Sequence, residues 1–470
     1  MSKATLGVII GNRNFFPDQL VTEARADILE LCRELDVTPV MLDDQTTKLG
    51  GVETREDAVK CARLFAEHAD EIDGLLVVLP NFGDERGVAE TVQLAGLGVP
   101  VLVQAYPDAL DQFIVERRRD AFCGKISVCN NLGQYGIPFS LTDLHTVHPK
   151  SASFKQDLEQ FLGVCRVVNG LQGARLGAIG ARPAAFNTVR YSEKILQDAG
   201  ITVVTADLSE ILGRAERLAD DAPEVRARLE ALKDYIPTDG IPARPLLQMA
   251  RLAAVIEEWM DANAIDATAL QCWDSIQINY GISPCSVMSF MSDRMLPSAC
   301  EVDVTGAVSM YALQLAAGRP SALVDWNNNY ADDPDKCVLF HCSNWPKSML
   351  KDARMHYGEI LGTTLGSDHT FGAIAGRVPA GPMTFARVST MDIEGAVHCY
   401  VGDGAFTDDP LDTFGSTAVI EIPDLQFLLK YICRNQFEHH VAMAPGHVSD
   451  ILAEAFETYF GWDVYQHIGY

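Results

Sequence analysis

Leu6-Gly7-Val8-Ile9-Ile10-Gly11 is an unbroken apolar run, and Asn12-Arg13-Asn14 follows it directly. Six residues are too few for a helix, so the run reads as a buried strand ending in a polar turn. Over residues 18–35 the period changes, with Leu20, Ala24, Ile28, Leu31 and Leu35 recurring on one helical face. The same cycle repeats, with strands expected at 38–42, 74–80 and 100–104 and helices at 55–69 and 84–97. Continuous apolar strands between amphipathic helices predict a parallel sheet covered on both faces.

A second α/β unit is expected from Ser153 onward. It comprises a long opening helix, a strand at 175–180, a helix at 188–199 and a strand at 201–206. Helical segments at 209–232 and 246–263 and a strand at 267–272 complete it. Beyond about residue 350 short β segments (372–378, 383–392, 396–402, 418–422) alternate with Gly, Pro and Asp turns, and helices are expected at 425–434 and 448–460. The predicted class is therefore α/β: doubly wound parallel-sheet domains at 1–152 and 153–350, then a mainly β domain at 351–470.

The 470 residues are 48% hydrophobic and 21% charged, the composition of a folded chain. Lys and Arg number 37 against 64 Asp and Glu, a formal net charge of −27. Such a surface repels nucleic acid and anionic membrane, so neither is an expected partner. No apolar stretch approaches the ~20 residues of a membrane span. The first residues run straight into a strand without a cleavage site, and the twelve cysteines include no CxxC. Reduced, largely buried thiols in a cytoplasmic protein are the expectation.

Ligands of open α/β sheets bind beyond the carboxyl ends of strands, and three clusters lie at such borders. In 297–307 (PSACEVDVTGA), Asp303 or Thr305 suits the N-cap of an apolar helix that ends near Gly318, and Glu301 stands just before it. Glu301 also reads plainly as a first-turn acid answering the helix dipole. In 321–329 (SALVDWNNN) a short apolar strand is expected to end at Asp325, followed by Trp326 and three amides. An Asx turn is the plainer reading of Asp325; a sugar-binding edge is the other. In 437–447 (FEHHVAMAPGH), His439 and His440 adjoin, and strand alternation predicts that at most one faces a given site. His341 follows a further apolar strand. Two carboxylates with one or two imidazoles suit Mn²⁺, with Mg²⁺ or Co²⁺ as substitutes, better than a sulfur-rich structural zinc. GxGxxG, GxxxxGK[ST] and GxSxG are absent from the sequence.

These same residues carry a resemblance. Residues 271–273, 281–285, 299–307, 323–325, 339–342 and 439–447 resemble the L-fucose isomerase family and its L-arabinose isomerase relatives. The opening Gly11-Asn12-Arg13-Asn14-Phe15-Phe16-Pro17 is similar to a shorter, L-fucose isomerase-like branch. The resemblance implies two α/β domains and a barrel-like β domain, and an Mn²⁺-dependent aldose–ketose interconversion. By motif, Glu301, Asp325 and His440 would ligate the metal. His341 sits where the arabinose isomerase branch has a further ligand and the fucose isomerase branch has none. Glu301 and Asp325 would also be the acid–base pair of a cis-enediol mechanism. Arg13, Asn12, Trp273, Trp326 and His439 are candidate sugar contacts, and a homotrimer or homohexamer with shared active sites is implied. L-fucose, D-arabinose, L-arabinose and an acidic 6-substituted sugar such as a sulfosugar are the candidate substrates. Arg13, Lys347, Arg377 and Arg387 could pair with an anionic substituent. A sugar-binding module without catalysis and a sugar dehydrogenase are the alternatives.

Overall fold

The computed structural model describes residues 3–111, 113–341 and 344–469. They form two compact units. One runs up to Asn169 and includes Glu454–Gly461; the other comprises Gly170–Ala453 and the residues from Trp462 onward.

The N-terminal unit is built on the predicted alternation. Its sheet has the order Thr38–Val40, Thr5–Ile10, Gly74–Leu79, Val101–Ala105, Ser140–Leu141, with every neighbouring pair parallel. Its three central strands are buried along their whole length, as a sheet covered on both faces requires. The helix Asp18–Glu34 turns Leu20, Val21, Ala24, Ile28, Leu31 and Cys32 inward. Thr54 and Asp57 close a capping box that starts the helix Arg55–Glu67. Within this unit the hydroxyl of Tyr459 bonds the backbone of Val101 and lies 2.9 Å from Ser140 Oγ, fastening the 454–461 segment.

The second unit contains two sheets. A four-stranded parallel sheet has the order Thr202–Ala206, Arg175–Ile179, Ala267–Leu270, Ser298–Ala299. The expected helix at 188–199 is shorter. Ser192 caps Ile195 N–H, so the α-helix begins only at Glu193 and ends at Asp198. The helical stretch expected at 209–232 is two helices, Leu208–Arg217 and Pro223–Tyr235. Pro223 lacks the N–H a continuous helix would need and instead opens the second.

The larger sheet has nine strands. Its order is Lys351–Tyr357, Phe371–Arg377, Ser416–Glu421, Asp333–His341, Ala322–Tyr330, His440–Pro445, Gly381–Met391, Ala396–Thr407, Asp463–His467. Ala396–Thr407 also pairs with Ser416–Glu421, which draws the middle strands into a barrel-like ring. Most pairs are antiparallel; Phe371–Arg377 with Ser416–Glu421 and Ala396–Thr407 with Asp463–His467 are parallel. The strand expected to end at Asp325 runs on to Tyr330, with a register break between Trp326 and Asn328. Its pairing with Asp333–His341 continues past the carboxylate, so Asp325 lies within the ladder rather than at a turn. Phe385, Tyr400, Trp345 and Met443 anchor the core of this sheet.

Candidate active site

Two adjacent parallel strands deliver the first groups. Ala267–Leu270 leads at its carboxyl end into Gln271-Cys272-Trp273, and Ser298–Ala299 leads into Cys300 and Glu301. Glu301 and Val302 both have positive φ, 54° and 55°. For a β-branched residue that conformation is strained. The double turn carries the chain from the strand to the helix Val304–Ala317, which Asp303 caps through Gly306 N–H.

Glu301 is buried. Its Oε1 accepts the indole N–H of Trp273 at 2.7 Å and the thiol of Cys272 at 3.4 Å. Among the described residues its Oε2 has no hydrogen-bond partner. That oxygen lies 3.6 Å from His440 Nε2 and 3.9 Å from His341 Nε2. Asp325 reaches the same imidazole from a third element, with Oδ1 3.5 Å from His440 Nε2 and 3.6 Å from His439 Nε2. Register explains this meeting, since Asp325 pairs directly with His440 across the ladder.

Both histidines of the pair line the cavity, against the expectation from strand alternation. The strand begins at His440, and His439 sits in the bend before it, where the pleat does not operate. Their ring centroids are 4.4 Å apart.

The cavity has a volume of about 340 Å³. Glu301, Asp325, His341, His439 and His440 make its polar floor, and Phe186, Trp273, Phe340 and Phe414 contribute aromatic wall. Phe186 packs edge-on against both Trp273 and His439. Among the described residues, no lysine or arginine lines this cavity.

Behind the imidazole is a buried ion network. His440 Nδ1 lies 2.8 Å from Asp303 Oδ2, and Asp303 is held by the fully buried Arg387. Burial opposes ionisation of Asp303, but Arg387 and His440 outweigh it and keep the carboxyl well below the usual range. Burial likewise pulls His440 down, yet its bond to Asp303 and the charges of Asp303, Glu301 and Asp325 leave it raised. His439 is lowered, by burial and by its neighbour His440.

Ligand atoms of Glu301, His341 and His440 lie within 4.8 Å of one another, as do those of Asp325, His439 and His440. Cys272, Cys300 and Glu301 form a third such group. The residues fit a divalent cation. A buried carboxylate oxygen without a donor is costly, and a cation beside Glu301 Oε2 would satisfy it. Mixed oxygen and imidazole donors suit Mn²⁺, Mg²⁺ or Co²⁺.

Residues 7–172 match the family described as fucose/sulfoquinovose isomerase, N-terminal domain, and residues 339–467 match L-fucose isomerase, C-terminal domain. The chain belongs to the L-fucose isomerase-like family. A sulfoquinovose isomerase of Alkalicoccus urumqiensis is 26% identical over 317 residues, covering 65% of this chain and 68% of that one. One from Clostridium sp. (strain MSTE9) is 24% identical over 322 residues, 68% of each chain. One from Priestia aryabhattai is 22% identical over 344 residues, 72% of this chain and 74% of the other. An ABC-transporter solute-binding protein of Burkholderia multivorans, 9% identical, covers 68% of this chain and 95% of its own, at a TM-score of 0.17. That overlap is too low to carry an argument about fold or function.

Glu301, Asp325, His341, His439 and His440 converge with Trp273 in one cavity. Trp326, next to Asp325 on the strand, gives its indole N–H to Tyr400 and packs on Phe385, away from the cavity. Asn12 and Arg13 belong to the N-terminal unit. There Asn12 bonds Asn81 and Glu53, and Arg13 bonds the Gly83 carbonyl and Glu85 beneath Phe82. Arg387 is locked to Asp303 and Glu438 and is not available to a substrate anion. Arg377 bonds the Asp409 carbonyl, and Lys347 lies over the Tyr235 ring; neither lines the cavity. Cys342 lies outside the described residues. The N-cap role expected of Asp303 accounts for only one of its contacts, and Glu438 and Phe186 stand outside the candidates named from sequence. The carboxylate of Glu438, two residues before His440, was a visible signal.

No described helix is long and apolar enough to cross a membrane. The cysteines among the described residues are free thiols, most of them buried.

Proposed function

We propose that this protein is a metal-dependent aldose–ketose isomerase acting on a free monosaccharide through a cis-enediol. The observation that carries the proposal is the approach of Glu301 Oε2 and Asp325 Oδ1 to one imidazole nitrogen, His440 Nε2, at 3.6 and 3.5 Å. Glu301, Asp325 and His440 would hold Mn²⁺, with His341 or His439 as a further donor. The ion would polarise the substrate carbonyl and stabilise the negative charge that develops on its oxygen.

The chain's own groups supply the proton chemistry. Moving a carbonyl from C1 to C2 removes a proton from the carbon beside it and returns one to its neighbour. Glu301 and Asp325 provide a base and an acid in the same cavity. A positioned base contributes roughly 10²–10⁴-fold. The aromatic wall of Phe186, Trp273 and Phe340 suits the C–H faces of a sugar.

A 6-sulfonated aldose is the first substrate to test, because the relatives above are named sulfoquinovose isomerases. L-fucose, D-arabinose and L-arabinose stand beside it, since no lysine or arginine among the described residues lines the cavity. A panel of these four aldoses with Mn²⁺, read as ketose formed, tests the proposal. Turnover of one or more is expected. Binding of a sugar with no ketose from any of them would refute it in favour of a binding module. Nicotinamide-dependent oxidation would instead make it a dehydrogenase.

A further inference from the structure

His440 presents Nε2 to the cavity only if its proton, when it carries one, sits on Nδ1. Glu301 and Asp325 face Nε2 from the cavity, and the group that faces Nδ1 lies behind the site. Asp303 Oδ2 faces Nδ1 at 2.8 Å, and a carboxylate can only accept there, so Nδ1–H donates. Asp303 is itself immobilised. Arg387 gives Nη1–H to Oδ2 at 2.6 Å and Nη2–H to Oδ1 at 3.0 Å, a two-pronged grip. The same guanidinium reaches Thr305 Oγ1 at 2.9 Å and gives Nε–H to Glu438 Oε2 at 3.1 Å. Ser389 completes Glu438 from the other side. Both Arg387 and Asp303 are fully buried.

The cap explains only half of this arrangement. Asp303 Oδ1 accepts Gly306 N–H at 2.8 Å and suffices to start the helix. Oδ2 plays no part in that cap and is spent on His440 and Arg387. Space has been kept for it: a Cβ at Gly306 would lie 2.5 Å from Asp303 Oδ2 and 3.0 Å from Arg387 Nη1. A buried arginine fork and a glycine without room for a methyl are more than a helix cap requires.

We propose that Asp303, clamped by Arg387, is a positioning residue that fixes the tautomer and orientation of His440 so that its Nε2 lone pair faces Glu301 and Asp325. The inference rests on the isomerase reading for its purpose, though not for its geometry. Histidine ligands are oriented in this way by a carboxylate on the far ring nitrogen. Arginine is suited to the clamp because its planar fork holds both oxygens of Asp303 at once, which an ammonium cannot do.

Asp303→Asn is the decisive variant. The amide keeps the volume and one oxygen for the cap, but it places an N–H donor where Oδ2 accepts, so Nδ1 of His440 becomes the acceptor and Nε2 carries the proton. Two readouts apply to the whole chain. At a pH high enough for His440 to be neutral, histidine ¹⁵N resonances of the metal-free protein should move His440 from the Nδ1–H to the Nε2–H pattern. Mn²⁺ titration followed by electron paramagnetic resonance should show affinity weakened by roughly 10–100-fold. Unchanged affinity with an unchanged tautomer overturns the proposal. Should Asp303→Asn not fold, Arg387→Lys keeps the buried charge and removes the fork. It should weaken Mn²⁺ affinity with the fold intact, and wild-type affinity in that variant also overturns the clamp. If wild-type protein binds no Mn²⁺ at all, the metal-dependent reading fails instead, and the tautomer shift in Asp303→Asn still decides the role of Asp303.

Discussion

Replacing Glu301 by Gln separates a reactive carboxylate from a structural one, because the two roles predict opposite results. The amide keeps the oxygen that accepts the Trp273 indole at 2.7 Å. It exchanges the buried Oε2, partnerless among the described residues, for an N–H₂ that can point toward the neighbouring imidazoles. An unsatisfied buried polar group costs about 1–3 kcal/mol. At a pH where His440 is neutral, the metal-free variant should therefore be at least as stable as wild type, by up to that amount. Turnover should move the other way. Loss of a positioned base removes roughly 10²–10⁴ in rate, or about 2.7–5.4 kcal/mol of barrier.

The assay is ketose formation at saturating Mn²⁺, so that weakened metal affinity is not counted as lost chemistry. It is run beside calorimetry of the chelated proteins. Wild-type turnover in D₂O should also place deuterium on the product carbon beside the carbonyl, because an enediol route lets the base exchange its proton with solvent. In Glu301→Gln both turnover and labelling should be lost. A near-normal rate together with a lowered melting temperature would return Glu301 to an acid at a helix start. Wild-type product without label at C1 or C2 would refute the enediol route and point to a hydride shift.

Chelation with excess EDTA should abolish activity and leave the melting transition largely in place, since both units have hydrophobic cores of their own; Mn²⁺ should restore turnover best, and full activity after thorough chelation would contradict metal dependence. Mn²⁺ affinity should climb with pH. The native pKa of His440 is raised above the ordinary 6.5, so its stabilising contribution to the metal-free protein is fully present below 6.5 and is lost as pH rises through the native value. Metal binding must expel that proton, and a titration showing affinity flat or falling with pH would contradict the assignment. Light scattering at micromolar concentration should report a trimer or hexamer, and a monomer would remove the shared site that the resemblance implies.

How far the sequence could be read depended on whether the information was local. The N-terminal sheet was legible because each strand is a run of apolar residues buried on both faces, and each helix carries its apolar stripe in the same short window. Glu301 and Asp303 were legible as a border, and Asp303 does cap the following helix. The site was not legible as a site. It depends on a register that sets Asp325 opposite His440 and on a left-handed turn at Glu301 and Val302, and neither leaves a mark in composition or period. Both histidines reach the cavity because the strand starts one residue later than alternation assumed.

Arg387 shows the same limit from the other side. Counted as a charge, it was a candidate for an anionic substituent. In the strand Gly381–Met391, Ala386 and Val388 share one face while Phe385 and Ser389 share the face of Arg387, and all four are buried. An arginine in a stretch buried on both faces has no exposed side to turn to and must find its partners inside the protein. A buried guanidinium paired with a carboxylate that touches a cavity histidine is expensive to desolvate and contributes little as a simple stabiliser. Replacing such a pair by apolar residues is often neutral for stability, so its retention here is better explained by what it holds in place. The consequence is specific: positions 303 and 387 should tolerate few substitutions in a screen for activity, and apolar pairs recovered there in a screen for stability alone should bind Mn²⁺ poorly.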